Sequence, residues 1–417
     1  MLLNLSQKVS LENTIWLLIF PYLLVDSLNG ILVQSLNVNI PLSVLYKVFI
    51  LGLVTLSILK SSILIGVFLF SILLLILLSP LSLVFTSSHL VLVHDIPLMI
   101  KYYMLMSLCV FFHQCYCRNP NKFEFLSIKF LSFNYFVVIL SVLIGFIGVG
   151  YNTYPSTGLG YKGFFLAGNE LSALFIVVSS FFLFKIWKND GKIKLIVYLF
   201  HSLIVIIVGI SIATKAALLS SLLIVFLIPI LSERQSVIYI TRLRFIYVFL
   251  GILLIFMFGY KFNDLFYDVG VLERAKYFFY RDGLLGVIFS GREEFLISFL
   301  NSLYQSDSVF YFLFGSGHSL LFEQTGRTYI EIDPIDAAMY FGFPFSIFLI
   351  VLSLLSVFIP LYHVKSSEYA PYQIVSNLLL LFFAFIAGHV WTSGLLAITW
   401  AVSLNLMFVN RKYCEKA

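Results

Sequence analysis

The sequence predicts an all-α, polytopic membrane protein of about twelve spans, and three observations carry that prediction. Of its 417 residues, 61% are hydrophobic and only 11% charged, where a soluble globular domain carries about 25% charge. The apolar residues gather into about twelve stretches near the ~20 residues that cross a ~30 Å hydrocarbon core. The basic residues between the stretches fall at alternate connections, as membrane topology requires. The formal charge of +6 is thus spread along the chain, and no partnership with nucleic acid follows from it.

In chain order the expected spans are 13–34, 41–59, 62–85, 91–115, 130–150, 169–187, 195–213, 214–231, 245–260, 335–360, 372–389 and 393–410. The first apolar run, Ile15 to Val33, is span length and lacks a small-residue cleavage site, so a cleavable signal peptide is not expected. Lys60, then Arg118, Lys122 and Lys129, then Lys188, Lys192 and Lys194, then Arg234, Arg242 and Arg244, then Lys365, then Arg411 and Lys412 share one face when every second connection is cytoplasmic. Both termini are then cytoplasmic, and 1–417 forms one membrane domain with an extracytoplasmic loop, 261–336, inserted between spans. Cys109, Cys115, Cys117 and Cys414 lie in or at the ends of spans without zinc-ligand spacing. Neither a disulfide framework nor a metal site is expected, and no cofactor.

The Lys261 to Asp336 loop holds roughly a third of the charged residues in under a fifth of the chain, which marks it as the working segment. Within it Ser290-Gly291-Arg292-Glu293 has a capping-box pattern and precedes the apolar helical face of Phe295, Leu296, Phe299, Leu300 and Leu303. An amphipathic helix on the membrane surface is expected, with Arg292 in a first turn that favours anions. The plainer alternative pairs Arg292 with Glu294 or a lipid headgroup. Phe314 to His318 reads as a tight glycine turn. Glu331, Asp333 and Asp336 then stand just before the next span. Helix capping accounts for Asp333 or Asp336 but not for Glu331 as well, so Glu331 is the preferred general base.

Other basic residues fall where topology gives no reason for them: Lys47, Lys101, Lys162, Lys215, Lys261, Arg274, Lys276, Arg281 and Arg327, together with Arg292. An anionic ligand at the outer face would account for the set. Gly168-Asn169 and Thr214-Lys215 open helices whose N-termini point outward, with Lys162 in the preceding loop, so a pyrophosphate is expected among these ends. An ordinary N-cap is the plain reading of Asn169, and snorkelling that of Lys215. His94, Asp95 and Lys101 interrupt the fourth span and are expected to line an acceptor or lipid entrance. His389, Trp391 and Ser393 read as an interfacial anchor.

With these features assembled, the chain resembles the O-antigen polymerase (Wzy-type) and O-antigen ligase superfamily. The resemblance rests on the span number, one dominant outer loop in the C-terminal third, Gly168-Asn169, Thr214-Lys215 and the Gly315-x-Gly317 turn. It implies a GT-C-like, metal-independent glycosyltransferase of the bacterial cytoplasmic membrane that uses undecaprenyl-pyrophosphate-linked glycans, with a separate chain-length regulator as partner. Counting back eleven residues from Gly342, where ligases typically carry a histidine, lands on Glu331, and the Glu-x-Asp pattern resembles polymerases more. On this reading Arg292 and Glu331 are catalytic. Lys215, Asn169, Lys162, Arg327, Asp333, His318 and Lys101 bind substrate. The alternatives are a ligase that transfers glycan to lipid A core and a lipid-linked oligosaccharide flippase, although no internal repeat of the transporter kind is evident.

Overall fold

A computed structural model of the protein describes residues 10–38, 40–86, 90–155, 158–189, 193–232, 271–306, 309–317 and 329–409. The helices are α1 (Leu11–Ile19), α2 (Tyr22–Leu36), α3 (Leu42–Ser61), α4 (Ile63–Thr86), α5 (Leu90–Arg118), α6 (Pro120–Phe146), α7 (Gly168–Lys188), α8 (Lys194–Ile212) and α9 (Lys215–Ser232). They continue as α10 (Val271–Phe289), α11 (Arg292–Ser306), α12 (Val309–Phe314), α13 (Asp333–Phe341), α14 (Phe343–Tyr362), α15 (Ala370–Ile386) and α16 (Ala397–Leu406). One small antiparallel hairpin, β1 (Asn152–Tyr154) with β2 (Leu159–Tyr161), joins α6 to α7.

The chain is therefore all-α and multi-pass. Among the described residues, seven helices are long and apolar enough to cross a membrane, or eight when the bent α1 and α2 pair counts as one. The expected 245–260 span lies outside the described residues.

Three boundaries depart from expectation for local reasons. The 13–34 stretch bends by 46° between α1 and α2 at Pro21, whose ring cannot continue the hydrogen-bond ladder. The helix expected at 130 begins at Pro120 instead. Asn119 accepts the Lys122 N–H at 3.0 Å and proline occupies the first turn, a cap signal stronger than the apolar run behind it. The 335–360 stretch divides at Gly342, which has φ 91°. A Cβ there would lie 2.0 Å from the Leu313 carbonyl oxygen, so only glycine lets α12 touch this break.

At the centre stands α7, whose residues from Leu171 to Phe184 are all buried. It packs against α6, α8, α9 and α15, and Ser172, Ser179 and Ser180 keep its surface small enough for close approach. By contrast α3, α8 and α14 present Phe49, Leu203 and Phe358 outward, as lipid-facing helices do. Polar ties set the angles between helices. Tyr22 donates to the Leu395 carbonyl at 2.8 Å, Trp400 Nε1 to Asn377 Oδ1 at 2.9 Å, and Asn377 Nδ2 to the Ser356 carbonyl at 2.7 Å.

Candidate active site

Arg292 opens α11 as expected, and its guanidinium faces Glu331. Nε and Nη2 donate to Glu331 Oε2 at 3.2 and 2.5 Å, while Nη1 donates to the carbonyls of Phe289 and Ile386 at 3.2 and 3.0 Å. Glu294 does not take this arginine; it lies 3.3 Å from Arg281 instead. Behind the corner, Lys215 at the start of α9 donates to Ser290 Oγ at 2.7 Å and to the Val287 carbonyl. The corner itself needs left-handed backbone at Ser290 (φ 59°) and Gly291 (φ 82°). Two cations from separate helices thus meet on one turn.

Glu331 is held by its backbone as much as by its side chain. Its φ of 66° is left-handed, a conformation that costs a side-chain-bearing residue roughly 1–3 kcal/mol and persists only where the surroundings enforce it. Asp336 supplies part of that enforcement, since its two oxygens accept the Ile330 and Glu331 N–H groups at 2.8 and 3.1 Å. Gly388 supplies more: a Cβ there would fall 2.5 Å from the Glu331 carbonyl carbon.

Asp333 has a different place from the sugar-facing one expected. It is buried, and its oxygens accept the N–H groups of His389, Val390 and Trp391 at 2.6, 2.8 and 3.0 Å. Both carboxyls therefore organise backbone. Burial pushes Asp333 up to about 6, against the pull of the Trp391 N–H, and pushes Asp336 up to about 8, against that of the Ile330 N–H.

The segment that Asp333 caps, 387–396, was expected partly as helix. It leaves helical geometry because Gly388 and His389 have φ of 63° and 62°. Trp391 is 4% exposed, which corrects its reading as an interfacial anchor, and the segment is a hub. Ser393 Oγ and the Leu395 N–H both donate to Glu170 Oε2 at 3.2 Å, and Lys101 Nζ lies 3.4 Å from Glu170 Oε1. Across Gly394, Lys47 pairs with Asp26 at 2.8 Å. A Cβ on Gly394 would lie 3.6 Å from Lys47 Nζ and 4.0 Å from Glu170 Oε2, so the two ion pairs face each other there.

The remaining expectations divide. Asn169 is the second residue of α7 and does not cap it, because Ala167 holds that position. Thr214 joins the two helix starts, with its hydroxyl 2.7 Å from that of Ser172. Lys162 is buried by its own loop, where Nζ donates to the Leu166 carbonyl at 2.5 Å and desolvation lowers its pKa. His318, Arg327 and Lys261 lie outside the described residues, as do the side chains of His94 and Arg274.

Several cations that topology left unexplained therefore have partners within the chain: Lys47, Lys101, Lys162, Lys215, Arg281 and Arg292. A low-dielectric setting demands as much. Sequence reasoning missed Glu170 and Asp26, although the rule that singled out Lys101 applies equally to an acid at the start of an apolar helix. The capping box expected between Ser290 and Glu293 is not formed: Ser290 is left-handed and its Oγ accepts from Lys215, while the Glu293 carboxylate oxygens are buried without a hydrogen-bond partner among the described residues. No group of three or more His, Cys, Asp or Glu residues able to hold a metal occurs among the described residues. Neither protein-family models, nor curated proteins, nor solved structures match this chain.

Proposed function

We propose that the protein is a bacterial polysaccharide polymerase that joins undecaprenyl-pyrophosphate-linked repeat units at the outer face of the cytoplasmic membrane. The observation that carries this reading is the Arg292–Glu331 pair, a cation at the Ser290–Gly291 corner beside Lys215 and a carboxylate brought to it from the segment before α13. Its chemistry suits glycosyl transfer from a pyrophosphate. A guanidinium has five N–H donors, and the hydrogen bonds to Glu331, Phe289 and Ile386 use four of them. The fifth is left for a phosphate oxygen. Both bonds to Glu331 fall on Oε2, which leaves Oε1 to accept from a hydroxyl.

In the proposed reaction, the acceptor sugar hydroxyl attacks the anomeric carbon of the donor glycan and its proton passes to Glu331. The bond from that carbon to the pyrophosphate oxygen breaks, and the oxygen departs with the electron pair. Arg292, Lys215 and the nearby helix starts neutralise the charge that builds there. Lys101, 38% exposed and 3.4 Å from Glu170, is the accessible cation on the other flank. Asp333 and Asp336 shape the backbone, and Lys162 braces the loop that leads into α7. Much of the rate comes from aligning two lipid-anchored partners.

Reconstitution into vesicles with defined lipid-linked repeat units tests the reading. Longer glycans are the expected product. Arg292→Ala should insert normally, yet yield single repeat units and lose on the order of 100-fold in rate, as loss of one transition-state donor does. Transfer to lipid A core, or translocation without a new glycosidic bond, overturns the assignment.

A further inference from the structure

The burial of α7 ends abruptly: Phe184 is buried and Lys185, the next residue, is exposed. Phe182, one turn earlier on the Lys185 face, is covered by α6 and α8 together. Its ring stacks on Tyr135 at 4.0 Å and meets His201 edge-on at 5.0 Å. Lys185 therefore emerges between those two helices, and its ammonium donates to Ser132 Oγ on α6 at 2.9 Å. Lys129 stands one turn before Ser132 on the same face of α6. It is exposed, with its ammonium 4.0 Å from the centre of the Phe125 ring.

Charge balance sets these two lysines apart. Arg118 and Lys122, at the same end of the bundle, share Glu12 at 3.6 Å. No carboxylate lies within 4 Å of Lys129 or Lys185 among the described residues. Two unneutralised ammonium groups at a helix end attract an anionic headgroup. The layer beneath them is polar too. The Tyr135 hydroxyl lies 3.2 Å from His201 Nδ1, and with the hydroxyl donating there, Nε2 carries the ring proton and faces outward from the pair. His201 is half-buried and level with Phe182, about 4.5 Å further in than Lys185. The headgroup region adds about 5–8 Å on each side of the hydrocarbon core, so a group that far below a phosphate meets the ester carbonyls. Deeper still, Phe136 and Leu140 continue the Lys129 and Ser132 face of α6, 46% and 57% exposed. The usual bias of basic residues toward helix ends accounts for neither the inward tie of Lys185 to Ser132 nor the histidine below it.

We propose that the groove between α6 and α8 holds one anionic glycerophospholipid. Its phosphate lies between Lys129 and Lys185, an ester carbonyl accepts from His201 Nε2, and an acyl chain runs along Phe136 and Leu140. A head of net negative charge is favoured over a zwitterionic one, because a choline or ethanolamine cation would stand beside two ammonium groups that have no carboxylate. Glu170 is about 23 Å away along α7, fifteen residues at 1.5 Å each. The lipid therefore sits at the opposite end of the bundle from Arg292 and Glu331, and the assignment does not rest on the polymerase reading.

The test titrates the full chain in detergent with phosphatidylglycerol or phosphatidylcholine of the same acyl chains and counts retained lipid by native mass spectrometry. One phosphatidylglycerol should be retained at concentrations where phosphatidylcholine is not. Lys185→Gln, which can still bond Ser132, and Lys129→Gln, at an exposed position that folding tolerates, should each weaken that binding about fivefold. Lys365→Gln, exposed at the same end of the bundle, should leave it unchanged. His201→Phe should weaken binding of the diester lipid and spare its diether analogue, which has no carbonyl to accept from the ring. Equal retention of phosphatidylcholine, unchanged binding in both groove lysine variants, or an equal loss in Lys365→Gln would overturn the proposal. An equal response of the diester and diether lipids to His201→Phe would overturn the placement of the ester. Binding needs no turnover, so these outcomes stand whether or not the chain makes polymer.

Discussion

Asp336 shows how a single buried carboxyl couples pH to the shape of the site. Its folded pKa of about 8 exceeds the unfolded value of about 3.9. The group therefore contributes stability that is complete below about pH 4 and is lost as pH rises through 8. Asp333 acts in the same direction, with its loss centred near pH 6. Thermal unfolding followed in detergent should accordingly show a melting temperature that declines from pH 5 to pH 9. In Asp336→Asn the upper part of that decline should flatten; an unchanged slope would separate the effect from this residue. Neither role was evident from spacing. A carboxylate three residues before another looks alike whether it meets a sugar hydroxyl or a distant backbone N–H, and the N–H groups of His389 to Trp391 lie more than fifty positions away in sequence. The place of Arg292 at a helix start was legible because the signal is local, a Ser-Gly pair just before an apolar helical face, although the capping box read there is not formed. Its partner Glu331 was legible only as an acid that capping did not account for.

At the level of elements, helices announced themselves through apolar length, while breaks depended on contacts that length does not encode. Pro21 is a breaker in any context, but Gly342 and Gly388 matter because another backbone passes against them. The 387–396 segment is the clearest case. Its sequence is apolar enough to be read as span, yet carboxylates from α7 and α13 hold it open. Gly388→Ala should thus push on Glu331 directly. Besides the clash, the new side chain must adopt φ 63°, a cost of roughly 1–3 kcal/mol. We expect a melting temperature lower by several degrees and loss of polymer formation while lipid-linked donor still binds. Retained polymerisation would show that Gly388 does not position the proposed base, Glu331.

At the scale of the molecule, two ion pairs from four helices, Lys47 with Asp26 and Lys101 with Glu170, face each other across Gly394. Lys47 and Asp26 are 13% and 6% exposed, so removing one partner strands the other in a poorly solvating interior. Asp26→Ala should cost roughly 3–5 kcal/mol, and Asp26→Leu with Lys47→Met should cost much less, since two apolar residues leave no orphan charge. Chemical denaturation of the three proteins in one detergent measures this. Equal losses in the single and double variants would mean that the pair stabilises through its bonds to neighbours such as Ser43. The multi-pass architecture was legible from composition, but the adjacency of the two pairs was not, because it depends on α2, α3, α5 and α7 meeting at the hub.

The burial of α7 has a consequence for the protein's relation to its membrane. A helix buried among its neighbours from Leu171 to Phe184 registers bilayer thickness less directly; mismatch acts first on helices such as α3, α8 and α14, through tilt at modest cost per ångström. Glu170 rides on α7, and through it the hub that fixes Glu331 is referenced to protein rather than to lipid. In vesicles whose acyl chains are lengthened or shortened by a few carbons, insertion should shift more readily than turnover per inserted molecule. The site would then keep its register in a membrane whose composition drifts with growth conditions.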